Sequence, residues 1–386
     1  MMDIRTPTSF SDENVCGDIV FDETSQAWLV TRYATVRSIL AGDGWSSDPT
    51  TSAAVRRALA ELGLTESPIS RTMLGMDPPD HTRVRDSVRD VFTPRYIAQL
   101  GDGIAAIADD IIGHPDTGAV IDFMDVVARP FPIAVIAEWL ALDVDTTQIL
   151  WDEAGALVRV LDTTTTPGTD MRSAVAGFTS LTAALLPTAV ERRTAPGDDL
   201  LSLLASDERL DLDEVVVNAI LLAVAGHETT AKLLGNSMIR LLAESPDGRL
   251  IDRLDLADPA VADELLRLDG PARMIVRAAT CRHTVDGAMI EPGDRVIMLA
   301  DAANRDPEVF DEPDRLRPDR NGPPHLAFGH GRHRCLGAAL ARLEIGSALP
   351  LVARRAPRAA GSVTWGADVA LYGPERMPMV FEEDLG

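Results

Sequence analysis

The chain has 386 residues, with 36 Lys or Arg against 60 Asp or Glu and a formal net charge of −24. That balance argues against general nucleic-acid binding, which needs a basic surface. The length is above the usual single-core size, and few aromatics beside many Ala and Leu favour helix over a β-sandwich.

Residues 1–10 hold no apolar core that would serve as a signal peptide or anchor. Residues 28–31 read as a short strand and 35–40 as a helix. Residues 50–74 mix Thr, Ala, Ser and Gly with little periodicity, and part of that stretch is expected to be mobile. After Pro78 and Pro79 a helix carries His81, Arg85 and Arg89, four residues apart and so on one face. Helical patterns follow over 97–112, 133–142 and 148–161. Residues 162–170, with four consecutive threonines, Pro167 and Gly168, read as a loop too short to link domains. One domain over 1–386 is therefore expected.

A long helix opens near Asp211, where Glu214 three residues on makes a capping-box pattern. Residues 215–225 are nearly all apolar, the mark of a helix buried all round. A further helix holds Glu264 and Arg267. Strand-like pieces then alternate with the turns Asp286-Gly287 and Pro292-Gly293 up to Leu299. A last long helix starts just after Cys335, and residues 362–381 have strand-turn character. No stretch reaches the length of a membrane span without charged or polar interruption, so a soluble protein is expected.

Three cysteines, Cys16, Cys281 and Cys335, are widely separated. They form no CxxC zinc pair, their odd number argues against a disulfide framework, and a reducing cytoplasm fits them. Cys335 stands in the loop Phe328-Gly329-His330-Gly331-Arg332-His333-Arg334-Cys335-Leu336-Gly337, followed by helix-prone Ala338-Ala339-Leu340-Ala341. Glycines reach φ > 0 without steric cost and let N–H groups turn toward the sulfur. The helix start adds a positive dipole end, which favours thiolate over thiol. Such a thiolate among basic residues suits an axial ligand of haem iron; a buried structural cysteine is the plainer alternative.

The apolar helix has its own anomaly, Gly226-His227-Glu228-Thr229-Thr230. Polar groups in such a place need partners or a purpose. One purpose is proton delivery into a dry site, with Glu228 relaying and the Thr229 hydroxyl donating; the alternative is a helix passing a polar interior patch. Gly226 would leave room for a ligand, and Thr229 bonding to a carbonyl one turn back would open the helix locally. Glu264 and Arg267, one turn apart, are by themselves an ordinary helix pair worth ~0.3–0.5 kcal/mol.

The cysteine loop resembles the haem-ligand loop of the cytochromes P-450, and Ala225-Gly226-His227-Glu228-Thr229-Thr230 resembles the oxygen-activation motif of their bacterial members. The resemblance runs from Trp28 to the tail, with motifs in the family's order. It implies a mainly α fold with a minor β portion, and haem b (iron protoporphyrin IX) between the long central helix and the cysteine loop. Cys335 would be the iron ligand, with Ala225, Gly226, Phe328, Gly329 and Gly337 against the cofactor. The haem propionates need fixed cationic donors; His81, Arg85, Arg277 and His333 match the family's positions. Glu264 and Arg267 would join Arg315, from Glu312-Pro313-Asp314-Arg315-Leu316, in a buried network under the loop. Leu316 stands where the family more often has Phe, and Ala303-Asn304-Arg305-Asp306-Pro307 matches a stretch read as structural.

The implied activity is mono-oxygenation, with O2 activated at the haem and protons relayed by Glu228 and Thr229. The substrate would be a lipophilic secondary metabolite or a carrier-bound amino acid. Its pocket would draw on residues 50–74, Leu222, Ala225, residues 272–275, Leu371 and Tyr372, with Met274, Ile275 and Leu371 as an apolar wall. Electrons would come from a ferredoxin or similar acidic donor docking at Arg332, Arg334 and Arg342, with Arg89 joining them. A cytoplasmic monomer is expected, with no membrane or nucleic-acid partner. One alternative keeps the fold but performs oxidative coupling or ring formation without net oxygen insertion. Another is a non-catalytic recruitment module.

Overall fold

The computed structural model describes residues 19–113, 118–161, 171–244, 248–366 and 371–382. Residues 1–10, Cys16 and the 162–170 stretch lie outside them. The chain opens with β1 (Ile19–Asp22), β2 (Ala27–Val30), α1 (Tyr33–Ala41), β3 (Trp45–Ser46), α2 (Ala53–Glu61) and α3 (Asp80–Asp86). There follow α4 (Pro94–Ile97), α5 (Gly101–Ile112), β4 (Val120–Asp122), α6 (Pro130–Leu140), α7 (Val144–Leu161), α8 (Met171–Thr194) and α9 (Leu200–Ser206). Then come α10 (Leu212–Leu242), α11 (Pro259–Asp269), β5 (Met274–Ala279), β6 (His283–Val285), β7 (Ala288–Ile290), β8 (Arg295–Leu299) and α12 (Ala300–Ala303). The last elements are α13 (Ala338–Arg354), β9 (Arg358–Ala359), β10 (Thr364–Trp365), β11 (Pro374–Arg376) and β12 (Pro378–Val380). The fold is mainly α with a minor β portion, as expected.

α10 is the axis. The Asp211 carboxylate accepts the Glu214 N–H at 2.7 Å and the Glu214 carboxylate accepts the Asp211 N–H at 3.0 Å, so the capping box forms. Its 31 residues rise about 46 Å. Residues 215–221 are buried without a break, and α6, α7, α8, α9 and α13 pack around the helix. α6 supplies Phe131, Ile133, Val135 and Ile136 to the same core. Just before it, residues 124–128 form a widened π-type turn, closed by Arg129 N–H to the Met124 carbonyl at 3.0 Å.

The main sheet has the order β1-β2-β8-β5-β3. β5 runs antiparallel to β8 from Met274 opposite Leu299 to Ala278 opposite Arg295. Side chains alternate along it. Met274 and Val276 pack with Ala27, Leu29, Ile297 and Leu299, while Ile275 joins the other face with Val30, Val296 and Met298.

Two expectations need correction. Residues 50–74 are more ordered than their weak pattern implied: Val55, Ala58 and Leu59 make a buried i, i+3, i+4 stripe on α2. Met73 N–H also donates to Asn218 Oδ1 at 2.8 Å, tying the segment to α10. Arg89 lies beyond the end of α3 and pairs with Asp86 and Asp90, so it does not share a face with His81 and Arg85. Within α8, Ser173–Thr194 is apolar and long enough to cross a membrane by composition. Hydroxyls interrupt it up to Val190 and Glu191, Arg192 and Arg193 close it, while Leu181, Leu185 and Ala189 sit in the main core.

Candidate active site

The cysteine loop is held by its own backbone. Cys335 N–H donates to the Phe328 carbonyl at 2.8 Å. Gly329 and Gly331 sit at φ +66° and +72°. At Gly331 a Cβ would lie 2.3 Å from the Leu40 carbonyl oxygen, so glycine is required there twice over. These glycines shape the turn; the N–H bonded to the sulfur belongs to Gly337, at φ −77° just before α13. The sulfur lies deep among protein atoms while its side chain keeps an open face. Burial pushes the thiol up, opposed by the Gly337 N–H and then by Arg85, Arg334 and Arg342. The helix start and basic flanks therefore do not by themselves secure a thiolate; a metal ion would have to complete the deprotonation.

Beside the loop stand the four cation-capable side chains. The His81 and His333 rings lie 4.0 Å apart, Arg85 donates to the Arg334 carbonyl at 2.6 Å, and Arg277 reaches only the Val276 carbonyl at 2.7 Å. Among the described residues none of the four has an ion pair; Asp77, the carboxylate facing them, is taken by Ser46 and the Ser47 N–H. Neither ring nitrogen of His81, nor Nε2 of His333, has a hydrogen-bond partner. Burial first, then their mutual repulsion, pulls His81 down to about 4 and His333 to about 2. Burial likewise draws Arg277 down to about 10. A dianionic ligand would relieve all of these at once, so the residues present fit the two propionates of a haem.

On α10, Leu222, Ala225, Gly226 and Thr229 are only partly buried, although the helix around them is buried. Their i, i+3, i+4, i+7 spacing makes one stripe. Leu222 and Ala225 border the same hydrophobic cluster as Phe328, Leu336 and Leu371. Thr229 donates its hydroxyl to the Ala225 carbonyl at 2.7 Å, yet α10 continues unbroken rather than opening. A Cβ at Gly226 would meet Ile136 at an ordinary 3.6 Å, so protein packing does not demand glycine there. Glu228 is buried, 3.8 Å from a His227 ring whose pKa burial pulls down to about 3, so no salt bridge forms.

Beneath the loop, Glu264 and Arg267 pair at 2.6 Å, both buried. Arg267 also donates to the carbonyls of Asn304, Pro313 and Arg315. Arg315 is not the third side chain: it is exposed and pairs with Glu312. Arg320 takes that place, 3.1 Å from Glu264, and the Arg317 N–H adds a bond at 2.9 Å. Five residues after Arg315, Arg320 can fold back toward α11, whereas the Arg315 side chain points outward. Asn304 Oδ1 accepts from the Leu326 N–H at 2.6 Å and carries the network into the loop. Glu344 on α13, not anticipated, is buried and accepts from Thr230 at 3.0 Å. Its signal was a lone acid within the apolar stretch Leu343–Val352.

Two groupings separate. Ile275 shares a strand face with Arg277 and lies 3.6 Å from a Cβ at Gly329, whereas Met274 is turned into the sheet packing. Tyr372 stacks on Trp365 and lines a different cavity with Asn236 and Arg240, while Leu371 stays with the main cluster. The basic patch also shrinks. Arg332 pairs with Asp43, Arg342 pairs with Asp263 at 2.6 Å, and Arg89 is neutralised as above. Arg334 is exposed without an acidic partner among the described residues, as is Arg37, which the sequence reading overlooked; burial first, and then both arginines, disfavour a proton on His330.

Residues 243–355 match the cytochrome P-450 family model. The chain is 36% identical over 373 residues to cytochrome P-450 107B1 of Saccharopolyspora erythraea, covering 92% of this chain and 89% of that one. It is 36% identical over 336 residues to the erythromycin C-12 hydroxylase of the same organism, covering 84% and 81%. The ligand-free crystal structure of CYP164A2 from Mycobacterium smegmatis superposes with a TM-score of 0.84 at 31% identity, covering 94% and 93%. The chain belongs to the cytochromes P-450 and is an oxygen-incorporating oxidoreductase.

Proposed function

We propose that the chain hydroxylates a lipophilic secondary metabolite, holding haem b through Cys335 and taking electrons from a ferredoxin in the cytoplasm. The observation that carries this reading is the cluster His81, Arg85, Arg277 and His333, cation-capable and without ion pairs, around the loop of an open-faced cysteine. Bound there, the haem would supply dioxygen activation and the electron path.

The remaining work falls to the chain. Arg85 and Arg277 as cations, with the His81 and His333 rings as hydrogen-bond donors, would hold the propionates, and the Gly337 N–H would support the sulfur as thiolate. Glu228 would hold and release the proton needed at the distal face. Thr229 has its own proton committed to the Ala225 carbonyl, so its oxygen would accept a hydrogen bond and orient a protonated group or water. Leu222, Ala225 and Ile275 would bind an apolar substrate and exclude water. The relative named for hydroxylating erythromycin C-12 supports a secondary-metabolite substrate. Arg37 and Arg334 would receive the acidic donor near the thiolate.

The test is the absorption spectrum of the dithionite-reduced protein under carbon monoxide. A Soret band far to the red, lost in Cys335→Ala, is expected. A band at the position of a His-ligated haem, or one unchanged by the substitution, would overturn the assignment of Cys335.

A further inference from the structure

A second cavity of about 690 Å³ lies against the C-terminal half of α10, with Asn236, Arg240, Asp269, Arg273, Trp365 and Tyr372 in its lining. From Thr229 to Arg240 the helix climbs roughly 16 Å. Between them Lys232 is buried, touches Gly373 and pairs with Glu375, so this cavity is separate from the active-site stripe.

Its polar groups are incompletely satisfied. Asn236 is 6% exposed; its Nδ2 donates to the Asp269 and Tyr372 carbonyls at 3.0 and 2.9 Å, which fixes the amide, and its Oδ1 has no partner. The buried Tyr372 hydroxyl has no partner in full hydrogen-bonding geometry, with only the Arg273 guanidinium close enough to favour its ionised form. The Arg273 guanidinium lies 3.3 Å over the Tyr372 ring without an ion pair, attracted by Asp301 and Asp269 only from a distance. Elsewhere in the lining charges cancel: Arg240 with Asp269, Asp314 with Arg305, Arg315 with Glu312. Among the described residues, Arg253 and Arg273 are left without acidic partners against a single exposed Glu244. A cationic excess inside a cavity is unexpected on a chain of net charge −24. The apolar side is Ile239 and Leu254 with the Trp365–Tyr372 stack, centroids 4.9 Å apart.

We propose that this cavity binds a small aromatic carboxylate bearing a neighbouring hydroxyl or amine. The carboxylate meets Arg273 and the Tyr372 hydroxyl, the adjacent O–H or N–H donates to Asn236 Oδ1, and the ring lies against Trp365. The site is independent of the haem and of the substrate over it.

The probe is para-fluoromandelate, titrated into the haem-loaded protein under saturating imidazole and followed by fluorine NMR. Saturable line broadening that survives imidazole is expected. Its apparent affinity should fall roughly tenfold in Arg273→Gln and for the methyl ester, from loss of a charged hydrogen-bonding partner. Tyr372→Phe should weaken binding less and serves if Arg273→Gln does not fold. The proposal is overturned if wild type shows no saturable broadening, if imidazole abolishes it, or if the ester binds as well as the acid.

Discussion

Thr230 donates its hydroxyl to Glu344 at 3.0 Å, joining the residue after Thr229 to the helix that begins three residues after Cys335. Burial raises the Glu344 carboxyl from 4.5 to about 8, with the Thr230 bond pulling the other way. The folded protein thus keeps a proton that the unfolded chain releases. Stability should fall as pH rises from about 4.5 to about 8, by up to roughly 1.4 kcal/mol per unit, and then level off. Glu344→Gln keeps an acceptor for Thr230 without titrating, so its unfolding temperature should lack that decline. Parallel curves for the two proteins would mean that other groups set the pH dependence.

The Glu264 network makes a second comparison. Removing the partly buried Arg320 with Arg320→Met should cost about 3–5 kcal/mol, because it strips one of two cations from the buried Glu264 carboxylate. Arg315→Ala should cost less than about 1 kcal/mol, since it loses only an exposed pair. Denaturant unfolding of both variants measures the difference; equal losses would return Arg315 to the network.

Charge reversal distinguishes the cations near the cysteine loop. Arg334→Glu and Arg37→Glu should slow reduction by an acidic ferredoxin more at low than at high salt. Arg332→Glu should do less, because Asp43 already offsets that charge. Stopped-flow reduction at two ionic strengths decides it, and a rate indifferent to all three substitutions would move the docking surface elsewhere.

Thr229→Ala should raise hydrogen peroxide released per electron consumed, whereas Thr229→Ser, which keeps the hydroxyl bonded to Ala225, should stay near wild type. If alanine leaves coupling unchanged, the Thr229 oxygen orients nothing that matters to proton delivery.

What the sequence disclosed was the part written in local pattern. The capping box at Asp211, the apolar run that follows it and the glycine-rich loop are all short-range signals, and the family resemblance rests on them. The identity of the third network arginine was not local. Arg315, Arg317 and Arg320 stand within six residues, and only the path of the chain back to α11 selects Arg320. The sequence was equally silent on which charges cancel, because Asp43 and Asp263 meet Arg332 and Arg342 from 289 and 79 residues away. Tyr372 was misplaced for a related reason: adjacent residues of an extended segment point opposite ways, and no motif states which of Leu371 and Tyr372 turns inward.

That alternation gives β5 a sharper significance. Ile275 and Arg277 face the cysteine loop only because Met274 stands opposite Leu299, and the same phase sends Met274 and Val276 into the sheet. A slip of one position along β8 would exchange the two sets, burying a guanidinium among Leu29, Ile297 and Leu299 while presenting a methionine to the propionates. Strand phase thus decides which side chains reach the cysteine loop, and Ile275 is held from both sides, by Gly329 and by the sheet face of Val30, Val296 and Met298.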